Sequence, residues 1–189
     1  LRRRLGPVKL VGMVMNTQDL ESARKIGHAL AQAVRGRRVL LVASSDQSHY
    51  PSSVTSDIVD LTTLEAMKTM DPAYFWMTNR FLMNRGIDNV AVTYCGEGAV
   101  TAVMQAANEL GAGEARVLAH INSGRVAPGG SRGHVVGYAA AAFLKGGRSP
   151  AVAKLGVSRG REILRLARRS IQEFLAKGKM PVVGLSDEP

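Results

Sequence analysis

The chain alternates short apolar runs with longer stretches in which apolar residues recur every three or four positions. Val8 to Met15 is one such run and predicts a buried strand. "TQDLESARKIGHALAQAVRG" follows, and Leu20, Ala23, Ile26, Leu30 and Val34 lay one apolar stripe along a helix. Thr17 is placed to cap its start and Gly36 to end it. Val39 to Ala43 is the next strand. A β-α-β unit of this kind suits parallel strands covered on both faces.

Beyond it, Val54, Ile58, Leu61, Leu64 and Met67 again have helical spacing. Asp71-Pro72 signals a helix start, with proline at the first helical position. That helix carries Tyr74 to Met77 and ends near Gly86. Val90 to Tyr94 reads as a strand, Cys95-Gly96-Glu97-Gly98 as a tight turn, and Ala99 to Leu110 as a helix stopped by Gly111. Arg116 to Ile121 and the Ala-rich Val135 to Phe143 are the last predicted strands. The alternation is an α/β pattern, a sheet with flanking helices. "KGGRSPAVAKLG" reads as a linker, and "SRGREILRLARRSIQEFLAKG" as an amphipathic helix with Ile163, Ala167, Ile171, Phe174 and Leu175 on one face. The expected organisation is a main domain over 1–145, a linker over 146–157 and a helical stub over 158–189.

Composition narrows the class. Hydrophobic residues make up 46% of 189, enough for a core. No apolar run approaches the ~20 residues of a membrane span, and no charged-then-apolar signal segment opens the chain. One cysteine excludes an internal disulfide framework and suits a reducing cytoplasm. The net charge of +10 invites a nucleic-acid reading. The basic residues crowd Arg2–Arg4 and the last thirty-odd positions, with no aromatic residues between the arginines to stack bases, so that reading ranks last. The first residue is Leu1 rather than Met, so a fragment or an alternative start is expected.

Open α/β sheets bind ligands at the carboxyl ends of their strands. Three polar clusters fall at such ends: Ser44 to His49, Tyr94 to Gly98, and Asn122 to Gly124. Asp46 and His49 suit an acid that orients an imidazole, as base or metal ligand; spacing alone slightly favours Asp46 as a cap of the following segment beside a satisfied surface histidine. Cys95, between a strand and a helix N-terminus, suits a reactive thiolate or metal ligand, and equally a buried inert cysteine. His28 and His120 read as structural or exposed, His134 is given no role, and Tyr74 to Met77 reads as core. There is no P-loop, no G-x-G-x-x-G between strand and helix, and no C-x-x-C. A metal site takes three or four ligands. Asp46, His49 and Cys95 offer at most three, of mixed hardness, so a closed site is not expected from these residues alone.

Taken in order, "LLVASSDQSHY", "YCGEGAVTAVMQAANELGA", "NSGRV" and "HVVGYAAAAF" resemble the Memo family (mediator of cell motility), called AmmeMemoRadiSam system protein B in bacteria and archaea. "VKLVGMVMNTQDLESARKIGHAL" also fits, so the resemblance covers Val8 to Phe143. It implies a fold similar to class III extradiol dioxygenases, which are non-haem iron enzymes. It also implies a metal pocket built by two histidines from the first half of the domain and a cysteine and a histidine from the second. Cys95 matches the cysteine ligand, His49 the second-half histidine, as ligand or acid/base, and Asp46 the acid beside it. The first-half histidines have no match here, so the chain resembles the second half of such a domain, truncated at its N-terminus. The implied metal is iron or copper. The implied activity is that of an oxidoreductase when full length, or else of a non-catalytic peptide- or partner-binding protein acting beside a radical-SAM protein. Departures are Gln47 at a usually apolar position, Arg125 where an acid is usual, and Gly129-Gly130 in place of an acid-bearing loop. "SRGREILRLARRSIQEFLAKGKMPVV" resembles the opening helix of an AMMECR-type domain, which adds that domain to the expected partners. A half-domain would also expose a sheet edge or face, so self-association is expected.

Overall fold

Asp19 starts the first long helix: its carboxylate accepts from the Ser22 N–H at 2.8 Å, leaving Leu20–Val34 helical (α2, after a short α1 at Arg2–Leu5). The structure is a computed structural model, and it describes residues 2–126 and 130–146 together with Arg161, Arg165 and Arg169. Thr17, expected as the cap, instead hydrogen-bonds the Asp19 carboxylate. Of the predicted stripe, Ala23 is buried and Leu20, Ile26, Leu30 and Val34 are half-buried. The most buried line is Ala23, Gly27 and Ala31, whose small size lets α2 lie close against α5 (Glu97–Glu109).

The helix α3 (Ser53–Lys68) is capped by Ser52 and α4 (Pro72–Asn84) by Asp71, which accepts from the amides of Ala73 and Tyr74. The predicted helix start at Asp71-Pro72 is therefore observed, and it follows from local cap chemistry alone. The stripe expected on α3 divides. Leu64 and Met67 are buried, whereas Val54, Ile58 and Leu61 are exposed. The N-terminal part of this helix turns Ser53, Ser56 and Asp60 inward instead, because each has a buried polar partner. Within the aromatic cluster of α4, Phe75 is fully buried, while Tyr74 and Met77 are exposed.

The strands differ most from expectation. One antiparallel pair forms the sheet: β1 (Ala112–Asn122) runs against β2 (Gly137–Lys145), from Ala112 opposite Lys145 to Asn122 opposite Gly137. The short α6 (Ser123–Val126) follows β1. Residues 8–15 and 39–43, predicted as parallel strands, form no ladder among the described residues, and 90–94 contributes a single bridge, His49 with Val92. An apolar run makes a strand only when a neighbour accepts from its N–H groups and donates to its C=O groups. Here Leu10, Val11, Met13 and Val14 stay exposed, as do Val39, Leu40 and Val42.

The core lies between the helices and the pair of strands. Leu64, Met67, Met70, Phe75, Tyr94, Val100, Met104 and Ala115 form one cluster, with the Phe75 and Tyr94 rings edge-on at 5.3 Å. A largely apolar cavity of about 520 Å³ opens beside it, between residues 39–43, α5 and β2, with Ser45 and Gln47 in its wall.

The chain divides into two compact units, Leu1–Pro150 and Ala151–Pro189. In the second, Arg161, Arg165 and Arg169 are helical and exposed. The expected linker over 146–157 and helical stub over 158–189 otherwise lie outside the described residues. No helix among the described residues is long and apolar enough to cross a membrane.

Candidate metal centre

The loop after residue 43 is held by backbone bonds on two sides. Gln47 N–H donates to the Gly137 carbonyl and Gly137 N–H to Ser48; Tyr50 N–H donates to Val135. On the other side, His49 and residues 91–92 exchange bonds: His49 N–H to Val92, and Ala91 N–H back to His49. The loop is thus clamped between the strand-like segment before Cys95 and the start of β2. Tyr50 takes a left-handed backbone, φ 73°, to make this reversal.

Asp60 anchors the loop from beneath. It is fully buried on α3, accepting from Ser48 N–H at 3.0 Å and Ser56 Oγ at 2.9 Å, with His120 Nε2 at 3.3 Å. A Cβ on Gly137 would lie 1.9 Å from its carboxylate, so only glycine leaves room for this anchor. Gln47, the departure noted at a usually apolar position, is also buried. Its Nε2 donates to the Tyr94 hydroxyl at 2.9 Å. Burial pushes that phenol up to about 12, with the hydrogen bonds from Thr63 and Gln47 opposing.

Cys95 meets this loop at the start of α5. The Asp46 N–H donates to Sγ at 3.2 Å, and Ser45 Oγ lies 3.7 Å from the same sulfur. Ser45 Oγ also accepts from Gly96 N–H at 2.8 Å, tying the two segments together. Under the turn, Glu97 is buried in an ion pair with Arg80. Burial raises its carboxyl above the usual range, and the arginine opposes that shift.

The result is a three-residue cluster. Asp46, His49 and Cys95 each offer a ligand atom, and these atoms lie within 4.8 Å of one another. His49 Nε2 is buried without a hydrogen-bond partner, and the Asp46 carboxylate stands 3.8 Å from it, beyond hydrogen-bond range. A buried ring nitrogen left unpaired is costly, and a metal ion is one partner that would satisfy it. The donor set of thiol, imidazole and carboxylate therefore fits a metal ion with open coordination positions.

The other sequence candidates lie elsewhere. Asn122 is buried against α3, bonded to Ser53 and Asp57, and Arg125 pairs with Asp57, which accounts for a basic residue at that position. This third cluster braces the loop region but brings no ligand atom to the other two. His28 pairs with Glu109 on α5, and His134 Nδ1 lies 3.0 Å from the Tyr50 carbonyl. Sequence reasoning passed over Asp60, whose role follows only once Gly137 is seen to face it.

Comparisons with known proteins identify the family. The profile of the Memo-like protein family matches residues 1–142. A MEMO1 family protein of Nitrosopumilus maritimus is 35% identical over 136 residues, covering 72% of this chain and 46% of the relative. One from Pyrobaculum arsenaticum is 33% identical over 141 residues, with 73% and 46% covered. One from Methanosarcina mazei is 33% identical over 134 residues, with 70% and 46% covered. The chain thus spans about half the length of these relatives. By this match and these identities, it belongs to the Memo family.

Proposed function

We propose that the chain supplies one wall of a metal-binding, dioxygenase-like pocket with a redox role, in which Cys95 and His49 ligate iron or copper. The observation that carries this reading is the unpartnered, buried Nε2 of His49 within reach of Cys95 Sγ and the Asp46 carboxylate. Sulfur and imidazole nitrogen are donors suited to iron and copper rather than to magnesium or calcium. Such an ion would supply Lewis acidity and one-electron chemistry when bound.

The residues of the chain have separable tasks. Cys95 binds as the thiolate, held toward the site by the Asp46 amide. His49 binds through Nε2 in its neutral form. Asp46, half exposed, neighbours His49 and is placed to ligate or to hold a proton beside the ring. The family resemblance adds two further histidines from the part of the domain that this chain does not span, so catalysis belongs to the whole assembly. The same resemblance extends the proposal to an AMMECR-type domain and a radical-SAM protein as partners.

A second reading, a non-catalytic peptide- or partner-binding protein acting beside a radical-SAM protein, is favoured by the apolar cavity behind Ser45 and Gln47. Elemental analysis separates the two. The metal reading expects bound iron or copper that falls away in Cys95→Ala and His49→Ala; peptide binding with no metal in any variant favours the second.

A further inference from the structure

One distant side chain holds both ends of the segment that presents Cys95: the Cys95-Gly96 turn and the first turn of α5, which begins at Glu97 rather than at the expected Ala99. Gln18 precedes α2, and its carboxamide spans the turn. Nε2 lies 3.5 Å from the Cys95 carbonyl as donor, and Oε1 accepts from the Gly98 N–H at 2.5 Å. These partners are 77 and 80 residues away in the chain. A carboxamide is suited to this, since one planar group carries both a donor and an acceptor.

Gln18 is itself held in place. Trp76 Nε1–H donates to the Gln18 carbonyl at 2.7 Å. A Cβ on Gly98 would lie 2.7 Å from the Thr17 carbonyl, so the turn and the 17–18 segment are in close contact. Trp76 is braced by Arg80, whose guanidinium sits 5.7 Å from its ring while pairing with Glu97, the first residue of α5. Gln18, Trp76, Arg80 and Glu97 therefore form a chain of contacts that leaves the Cys95-Gly96 turn and returns to the first turn of α5.

We infer that Gln18, backed by Trp76, is a positioning residue for Cys95: it fixes the turn so that Sγ stays on the Asp46 amide and within reach of His49. The inference rests on Cys95 being a metal ligand. Partners of ligating groups fix their orientation, and their loss typically costs about 10–100-fold in metal affinity.

The test uses the full chain with Gln18→Met, which keeps length and volume but removes both hydrogen bonds, Gln18→Glu, which keeps the acceptor, and Trp76→Phe. Cobalt(II) is titrated into each and the thiolate-to-cobalt absorption followed. Gln18→Met is expected to bind about tenfold more weakly, with a shifted band. Trp76→Phe shifts the same way by less, and Gln18→Glu recovers part of the loss. A second arm needs no metal. Cys95 is the only cysteine, so its alkylation by iodoacetamide at fixed pH reports the turn directly. The Asp46 N–H favours the thiolate, which is the reacting form, and Cys95 is already exposed, so release of the sulfur from that amide is expected to slow alkylation severalfold in Gln18→Met. Wild-type affinity, band and alkylation rate in a folded Gln18→Met variant would overturn the inference, as would Gln18→Glu behaving no better than Gln18→Met. If Cys95→Ala binds cobalt as wild type does, the metal reading has failed, and the alkylation arm alone decides the role of Gln18.

Discussion

Asp46 and Cys95, 49 residues apart, hold each other: the Asp46 N–H donates to Cys95 Sγ at 3.2 Å, and the Cys95 N–H donates to the Asp46 carbonyl at 3.3 Å. Two of the three candidate ligands are thus placed by each other's backbone. Ser45 closes the arrangement, donating to the Asp46 carbonyl at 2.7 Å and accepting from Gly96 N–H at 2.8 Å. Ser45→Ala leaves a partly buried amide without its partner, which costs about 1–2 kcal/mol. Urea unfolding is expected to register that loss, together with weaker cobalt binding. Unchanged stability and binding would mean that the two segments do not depend on this bridge.

Gly137 and Asp60 make a second pair whose coupling is measurable. Gly137→Ala forces a methyl group onto a carboxylate fixed by Ser48 and Ser56, and crowding of this kind costs about 1–3 kcal/mol. In Asp60→Ala the obstruction is gone. The double variant is therefore expected to be more stable than the sum of the single losses predicts, a non-additivity that denaturant titration of all four proteins would detect. Simple additivity would remove Gly137 from the anchor.

The α2–α5 contact carries a pH signature. Glu109 is held below the usual carboxylate range by the Gln105 side chain first and His28 next. A carboxyl with a lowered folded value adds stability above its unfolded value and loses it as pH falls through the folded one. Wild type is expected to exceed Glu109→Gln in stability at neutral pH, by a small margin because the group is partly exposed. The two should converge well below the carboxylate range. A gap that persists in acid would show that Glu109 acts through packing instead.

What was legible in the sequence follows the range of the interactions. Asp71-Pro72 announces α4 because a cap is made by neighbours in the chain. The stripe on α2 is legible in part because this side of the helix packs mainly on one partner, α5. On α3 the apolar spacing misleads: Val54, Ile58 and Leu61 stay outside because Asp60 and Ser56 have buried partners that lie across the fold. The runs at 8–15 and 39–43 have strand composition, but composition supplies no ladder partner. Asp46, His49 and Cys95, which the structure brings together, stand out in the sequence because each follows an apolar run and fits the family pattern. Gln18 was not, since nothing near it in the chain points to a turn some eighty residues on.

Exposed apolar residues give the next expectation. Val11 and Val14 are 88% and 97% exposed, and Leu10 and Met13 flank them. Apolar patches of this kind mark contact surfaces or association. Sedimentation velocity of the chain is expected to show self-association that weakens in a Val11→Asp, Val14→Asp variant. A monodisperse monomer with cooperative unfolding contradicts it.

The central claim is that Cys95 and His49 hold one metal ion. Its most direct test is the iron and copper content of the full chain beside Cys95→Ala and His49→Ala, each loaded identically and freed of loosely bound metal. The account predicts that wild type retains one of these metals and that both variants lose most of it while keeping their circular dichroism. Equal retained metal in all three proteins would contradict it.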